Sequence, residues 1–381
     1  MHTPITQSLQ KNNYIATWFL CICFAILSVF PIYRNFYYSK GLLTFERHIS
    51  ILDKRSDFYN PWQYRILCPY TIEVLLWAYN NTIDRVYPIE EKVHFSIQNT
   101  SGVTNETDDF VKLMQTPGAM KYIIIFIFFR FFENLLIFYL ACKLWNFFVE
   151  SKWLIFFGIN FLTLALGNAV AVADLSFNTY MDIIFYLVTA NVIVYKKNPI
   201  ILIPLTILAA LNRETGILIP ALYFISQTNF TRFEVNKTKW KEIIFPTKNI
   251  WIFTTFLYLM FFAIFIWLRI YYGYRPQQTF KAESGLPMLK LNLFSAVGVK
   301  AYLELIGTFA VVPLIILYKF KSFPYLLKKW FLFLVPIWFA VHYISVVAYQ
   351  TRLFMVPFII IMIPMVLWLI EREIKAIADK K

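Results

Sequence analysis

Charge is scarce in this chain: Asp, Glu, Lys and Arg make up 15% of 381 residues, against 59% hydrophobic. That balance excludes an ordinary soluble domain. Cysteine is scarce too. Cys21, Cys23, Cys68 and Cys142 have no paired spacing and three of them sit in apolar stretches, so neither a disulfide framework nor a zinc site is indicated. No Asp-x-Asp and no adjacent acidic pair occurs between Glu46 and Arg65. The polar break Asn212-Arg213-Glu214-Thr215-Gly216 has no counterpart elsewhere in the chain, so the paired halves common in transporters are missing.

What remains is a succession of oily segments with a mean hydropathy of +0.58. The net charge of +14 does not indicate nucleic acid, because Lys and Arg lie mostly at segment ends and in loops rather than in one basic domain. Aromatics reach 20%, with clusters such as Tyr33, Phe36, Tyr37 and Tyr38 where a helix would leave a bilayer. The pattern predicts an all-α, polytopic transmembrane bundle forming one domain over residues 1–381. About eight full spans are expected, at 14–33, 120–145, 153–172, 179–195, 250–271, 300–318, 330–349 and 353–370. The first is too long for a signal-peptide core and lacks a small-residue cleavage site.

Residues 199–226 differ. Each apolar flank of the Asn212–Gly216 break is too short to cross a hydrocarbon core of roughly 30 Å, which predicts a broken helix or re-entrant hairpin. Irregular polar backbone at that depth requires burial in protein or a wet cavity. Basic residues in the short loops collect on one side, at Lys143 and Lys152, Lys196 and Lys197, 237–248, 319–329 and 372–381, and that side is assigned to the cytoplasm with both termini. The hairpin must return to its starting side for this assignment to hold. The opposite face receives a long loop at 34–119, with an interfacial helix at about 64–83, together with the break itself. Asn99 and Asn105 in that loop stand in N-x-S/T acceptor sites.

The ionisable groups that loops do not explain fall mainly on this second face. Asp53, Asp57 and Arg65 share one short stretch, where a carboxylate suits a general base or a divalent-cation ligand and Arg65 suits a bidentate phosphate clamp. An exposed turn and a snorkelling arginine are the plainer alternatives. Asp174 either caps the following helix or joins the site, and Asp182, inside a span, needs an interior partner. Arg213 and Glu214 either pair with each other, with Asn212 capping the second half-helix, or Arg213 and that half-helix N-terminus bind an anion. Arg352 is either an interface anchor or part of the same site. Arg130 and Glu133, three apart, are expected to pair, and His342 to be hydrogen-bonded packing.

Four stretches in this order resemble the GT-C superfamily of integral-membrane glycosyltransferases, in its small bacterial form. They are Pro61-Trp62-Gln63-Tyr64-Arg65-Ile66-Leu67 with Pro69, residues 174–182, Leu211-Asn212-Arg213-Glu214-Thr215-Gly216 before Pro220, and Thr351-Arg352-Leu353 with Pro357. The resemblance implies a GT-C-like fold in a bacterial inner membrane, a polyprenyl-phosphate-sugar donor, a glycan or lipid acceptor, and transfer on the periplasmic or exterior face. It also implies a catalytic carboxylate in the first outer loop, matched here by Asp57, Asp53 or Glu46. Arg65, Asp174, Asp182, Asn212, Arg213, Glu214 and Arg352 then form the lipid-phosphate and substrate site. A divalent cation, Mg or Mn, is compatible with those carboxylates. A polysaccharide polymerase would use the same outer cavity, and a proton-coupled transporter or flippase would use Asp182, Glu304 and His342 as its path. A non-catalytic assembly partner is the remaining class.

Overall fold

The computed structural model describes residues 16–28, 30–31, 41–54, 61–93, 105–171, 175–230, 243–274 and 281–379. Almost all of the regular structure is helical, the exception being a two-residue antiparallel ladder between Asn229–Phe230 and Ile243–Ile244. Six helices are long and apolar enough to cross a membrane. They are Ala119–Phe148 (α4), Lys152–Ala171 (α5), Phe177–Val194 (α6), Lys248–Tyr272 (α9), Tyr325–Ser345 (α12) and the composite Thr351–Ala378, whose last part Ile363–Ala378 is α13.

The span expected at 300–318 is instead two helices, Ala296–Phe309 (α10) and Val312–Tyr318 (α11), set at 80° to each other. Ala310 there takes φ 51°, and Pro313 opens the second piece, so the hydrogen-bond ladder cannot run through. The first span is described as Ala16–Ser28 (α1), which lies along α4: Trp18 stacks on Tyr139 at 4.3 Å, and Asn134 donates to Ser28 Oγ at 2.6 Å. Where a long loop with one helix at about 64–83 is expected, the described residues form several helices. Among them are Gly41–Leu52 (α2), Leu67–Asn81 (α3) and Asn105–Gln115. On α3, Tyr70, Val74 and Trp77 are exposed at helical spacing while Cys68, Ile72 and Tyr79 are buried, which suits a helix lying on an apolar medium. Asn99 lies outside the described residues.

Burial orders the bundle. The apolar windows of α6 and of Thr351–Ala378 are each 83% buried and form its centre, whereas that of α9 is 17% buried and lies at the periphery. Exposed Phe256, Leu259, Phe262, Ile266 and Trp267 on α9 leave an apolar outer wall of the kind a lipid medium accepts.

Residues 199–227 form a hairpin. Leu202–Asn212 (α7) starts beside the far end of α6 and runs back, so that Asn212 reaches Asn178 at the near end of α6. Leu218–Gln227 (α8) then retreats until Ser226 accepts from Trp330 Nε1 at 2.7 Å and, through its carbonyl, from Lys329 at 2.8 Å, at the start of α12. The reversal is tight: a Cβ on Gly216 would stand 2.8 Å from Ala209 Cβ, although seven positions along a continuous helix would separate them by about 10 Å.

The two ends of the bundle differ in chemistry. One joins the end of α4, the start of α5, the end of α6 and the end of α13, through Tyr195 OH to the Lys143 carbonyl, Lys375 to Glu150, and Glu371 accepting from the Glu150 and Ser151 amides. Lys319 and Arg372 belong to that end as well. The other end gathers arginines.

Candidate functional site

The hairpin tip explains why neighbouring charges serve different walls. Arg213 is extended, with φ −156° and ψ 154°, so successive side chains diverge. Arg213 turns inward, with Nη1 3.7 Å from Asp182 Oδ2 and 3.4 Å from Thr179 Oγ1 on α6. Glu214 turns toward the outer loop, where Arg65 Nη2 meets it at 2.9 Å, while Arg269 of α9 stands 3.9 Å away. The pairing of Arg213 with Glu214, one of the two sequence alternatives, is therefore not what forms. The other alternative also changes. Glu214 already occupies the first turn after the break, so that helix start carries its own carboxylate and is a poor place for an anion.

Asn212 does not cap the second half-helix. Fully buried, it donates to the Asn178 carbonyl at 2.8 Å and accepts from Asn178 Nδ2 at 3.2 Å and Cys68 Sγ at 3.5 Å, pinning the tip to α6 and α3. Asp182, 0% exposed, accepts from Thr215 Oγ1 at 2.6 Å, and Tyr186 OH donates to the Thr215 carbonyl at 2.6 Å. Asp182 and Asn212 thus hold the tip in place from inside the bundle. Arg130 and Glu133 pair at 3.1 Å in full burial, with Arg130 against the Tyr180 ring.

Arg352 enters from the opposite end of the sequence. It donates to Ser176 Oγ and, through Nη2, to Gln350 Oε1 at 2.8 Å. Ser176, at the N-cap position of α6, has the left-handed φ of 52° and makes no side-chain cap bond to that helix; its hydroxyl accepts from Arg352 instead. Arg65 sits between the turn Trp62–Tyr64 and α3, its guanidinium 5.0 Å from the centroid of Trp62. Arg47 of α2 approaches the same ring at 4.3 Å. Burial, then the charges of Arg352 and Arg65, push Arg47 down to about 9, so these like charges crowd one another. Arg213 lies within electrostatic reach of Arg65 and Arg352. The Nε atoms of Arg65 and Arg213 are buried with no hydrogen-bond partner among the described residues.

A cleft of about 40 Å³ opens beside this group, lined by Arg47, His48, Trp62, Cys68, Ser176 and Asn178 among others. At roughly 10–15 Å³ for each water-sized group it holds about three. His48 was visible in the sequence only as a neighbour of Glu46. In the fold it is 4% exposed, and its Nε2 lies 2.8 Å from Glu73 Oε1 on α3, which also accepts from Tyr122 OH at 2.9 Å. That hydrogen bond from His48, outweighing the opposing effect of burial, holds the Glu73 carboxyl below its ordinary range.

The other expected acids stand differently. Glu46 and Asp53 are exposed. Asp57 and Asp174 lie outside the described residues. Among the described residues no three His, Cys, Asp or Glu side chains converge so as to hold a metal ion, so the Mg or Mn expectation rests on Asp57 and Asp174. His342 donates to the Trp338 carbonyl at 2.8 Å and stacks on that ring, as packing. Comparison with family models, curated proteins and solved structures finds no match to this chain.

Proposed function

We propose that the cleft lined by Arg47, with Arg65, Arg213 and Arg352 nearby, receives the phosphate of a lipid-linked sugar, and that the protein is a GT-C-type membrane glycosyltransferase. It would move a sugar from a polyprenyl-phosphate donor to an envelope glycan or lipid acceptor on the face that carries the cleft. One observation carries this reading: Arg47, Arg65, Arg213 and Arg352 come from four separate chain segments to one end of the bundle, beside a cleft that Arg47 lines. Guanidinium groups brought together in partial burial repel, and an anion in their midst relieves that repulsion. Of these, Arg47 and Arg65, nearest the cleft and fixed before the reaction, would stabilise the charge that grows on a departing lipid phosphate.

The apolar α3 and α9 beside the site suit a donor with a hydrocarbon tail. The transporter alternative gains no comparable support. Asp182 and His342 are each committed to local bonds, and among the described residues no hydrogen bond joins them to each other or to Glu304.

The test uses the full chain in lipid nanodiscs with polyprenyl phosphate as probe. Arg65→Ala and Arg352→Ala each weaken binding by about 10–100-fold, the value of one charge-assisted hydrogen bond, and abolish sugar transfer from polyprenyl-phosphate-linked hexoses. Equal binding of uncharged polyprenol, or variants that bind like the wild type, would defeat the reading.

A further inference from the structure

We infer that His48 is the proton acceptor of the cleft, held in its working tautomer by Glu73 of the interfacial helix. This rests on the proposed transfer reaction, and it assigns the base to an imidazole rather than to the exposed Asp53 or Glu46. Of the acid–base side chains described in the outer loop, His48 lines the cleft together with Arg47, whereas Glu46 and Asp53 are exposed.

Geometry fixes the roles. Glu73 Oε1, 2.8 Å from His48 Nε2, takes the hydrogen on that nitrogen, which leaves Nδ1 as the ring's lone-pair nitrogen. Tyr122 OH donates to the same Oε1 at 2.9 Å and so holds the carboxylate from the far side. The Tyr122 and Phe126 rings of α4 meet the imidazole edge-on, with centroids 5.1 and 5.4 Å away, and fix its plane. Among the described residues, Arg47 on α2, Asp53 just past its end, Glu73 and Cys68 on α3, and Tyr122 on α4 are the titratable groups around it. Carboxylate–imidazole pairing of this kind orients the ring and stabilises the imidazolium that forms.

The step balances. An acceptor hydroxyl gives its proton to His48 Nδ1 while its oxygen forms the new bond to the anomeric carbon. The bond from that carbon to the phosphate oxygen breaks, and its electron pair leaves with the lipid phosphate beside Arg47 and Arg65. Glu73 is a positioning residue in this scheme, and Arg47 and the imidazole line the same cleft.

The experiment measures two things on the full chain in nanodiscs: binding of polyprenyl phosphate, and initial rates of transfer from polyprenyl-phosphate-linked hexoses over a pH series. His48→Gln is expected to keep a cooperative thermal melt in detergent, which reports its fold, and to lose about 100-fold or more in transfer rate. Glu73→Gln is expected to keep the hydrogen bond but lose the charge, which lowers the basicity of His48 and moves the acid limb of the rate profile to lower pH. A His48→Gln rate within twofold of wild type overturns the assignment and leaves the lipid-phosphate reading standing. An unshifted profile in Glu73→Gln removes its positioning role. A wild-type chain that does not bind polyprenyl phosphate overturns both.

Discussion

At the residue scale, the informative contrast is between Arg213 and Arg65, two arginines that both suit a phosphate in sequence. Arg213 is 5% exposed and committed to Asp182, itself 0% exposed, so its removal leaves a buried carboxylate without its cation. Arg213→Ala is therefore expected to lose roughly 3–5 kcal/mol of stability in a detergent thermal melt. Arg213→Met combined with Asp182→Leu should recover most of that loss, since apolar replacement of a whole buried pair is close to neutral. Costs that simply add in the double variant would show that the two groups are not coupled. Arg65 is tied to the partly exposed Glu214 and stacked near Trp62, at the edge of the cleft rather than inside the bundle. Its substitution is expected to act on binding first and on stability second. Nothing in local spacing separates the two cases, because each arginine lies beside polar neighbours in the chain and only the extended backbone at Arg213 decides which wall it faces.

At the element scale, the hairpin of α7 and α8 brings the site together. Short apolar flanks around a polar break already excluded a single straight span, and basic residues on both sides of it already required a return. The fold adds how the return is closed. Gly216 packs against Ala209 so closely that an added methyl meets its Cβ at 2.8 Å and its backbone at 3.1 Å. Gly216→Ala is expected to cost about 1–3 kcal/mol by overpacking, read as a lower melting temperature. Ala209→Gly in the same chain should restore part of it, since the side-chain clash is removed and the backbone contact is not. A Gly216→Ala chain with unchanged stability would mean that the tip is looser than this packing. The bend between α10 and α11 is the element where hydropathy misleads: a continuous apolar run has the composition of one span, and composition carries no signal for an 80° turn beyond Pro313.

At the scale of the whole molecule, the buried and half-buried arginines Arg47, Arg65, Arg213 and Arg352 gather at one end, away from the end where Lys319 and Lys375 pair with Glu373 and Glu150. The contacts of Lys375 and Lys319 at one end, and of Arg47, Arg65 and Arg352 at the other, show that the two groups occupy opposite ends of the bundle. The compartment each end faces is open to a direct test. Lys197 is exposed at the lysine end, and Ser284, exposed, contacts the Ser345 carbonyl at the other. In intact cells an impermeant thiol reagent is expected to label Ser284→Cys and to reach Lys197→Cys only after permeabilisation. Cys21, Cys68 and Cys142 are buried, and Cys23, half-buried, is replaced by Ser to keep background low. The reverse pattern would turn the cleft toward the cytoplasm and remove the envelope acceptor from the proposal.

The sequence by itself determined the helical, membrane-spanning class, the interruption at 212–216 and the interest of Arg65, Arg213 and Arg352. These follow from hydropathy and from the cost of charge in an apolar medium, which are properties of short stretches. Only the tertiary structure decided that Asp182 and Asn212 brace the tip from within, that Glu214 answers Arg65, and that Arg47 and His48 stand at the cleft with Glu73 behind them. Partners 25 to 149 residues apart meet through packing of whole helices, and no local pattern records which faces will touch.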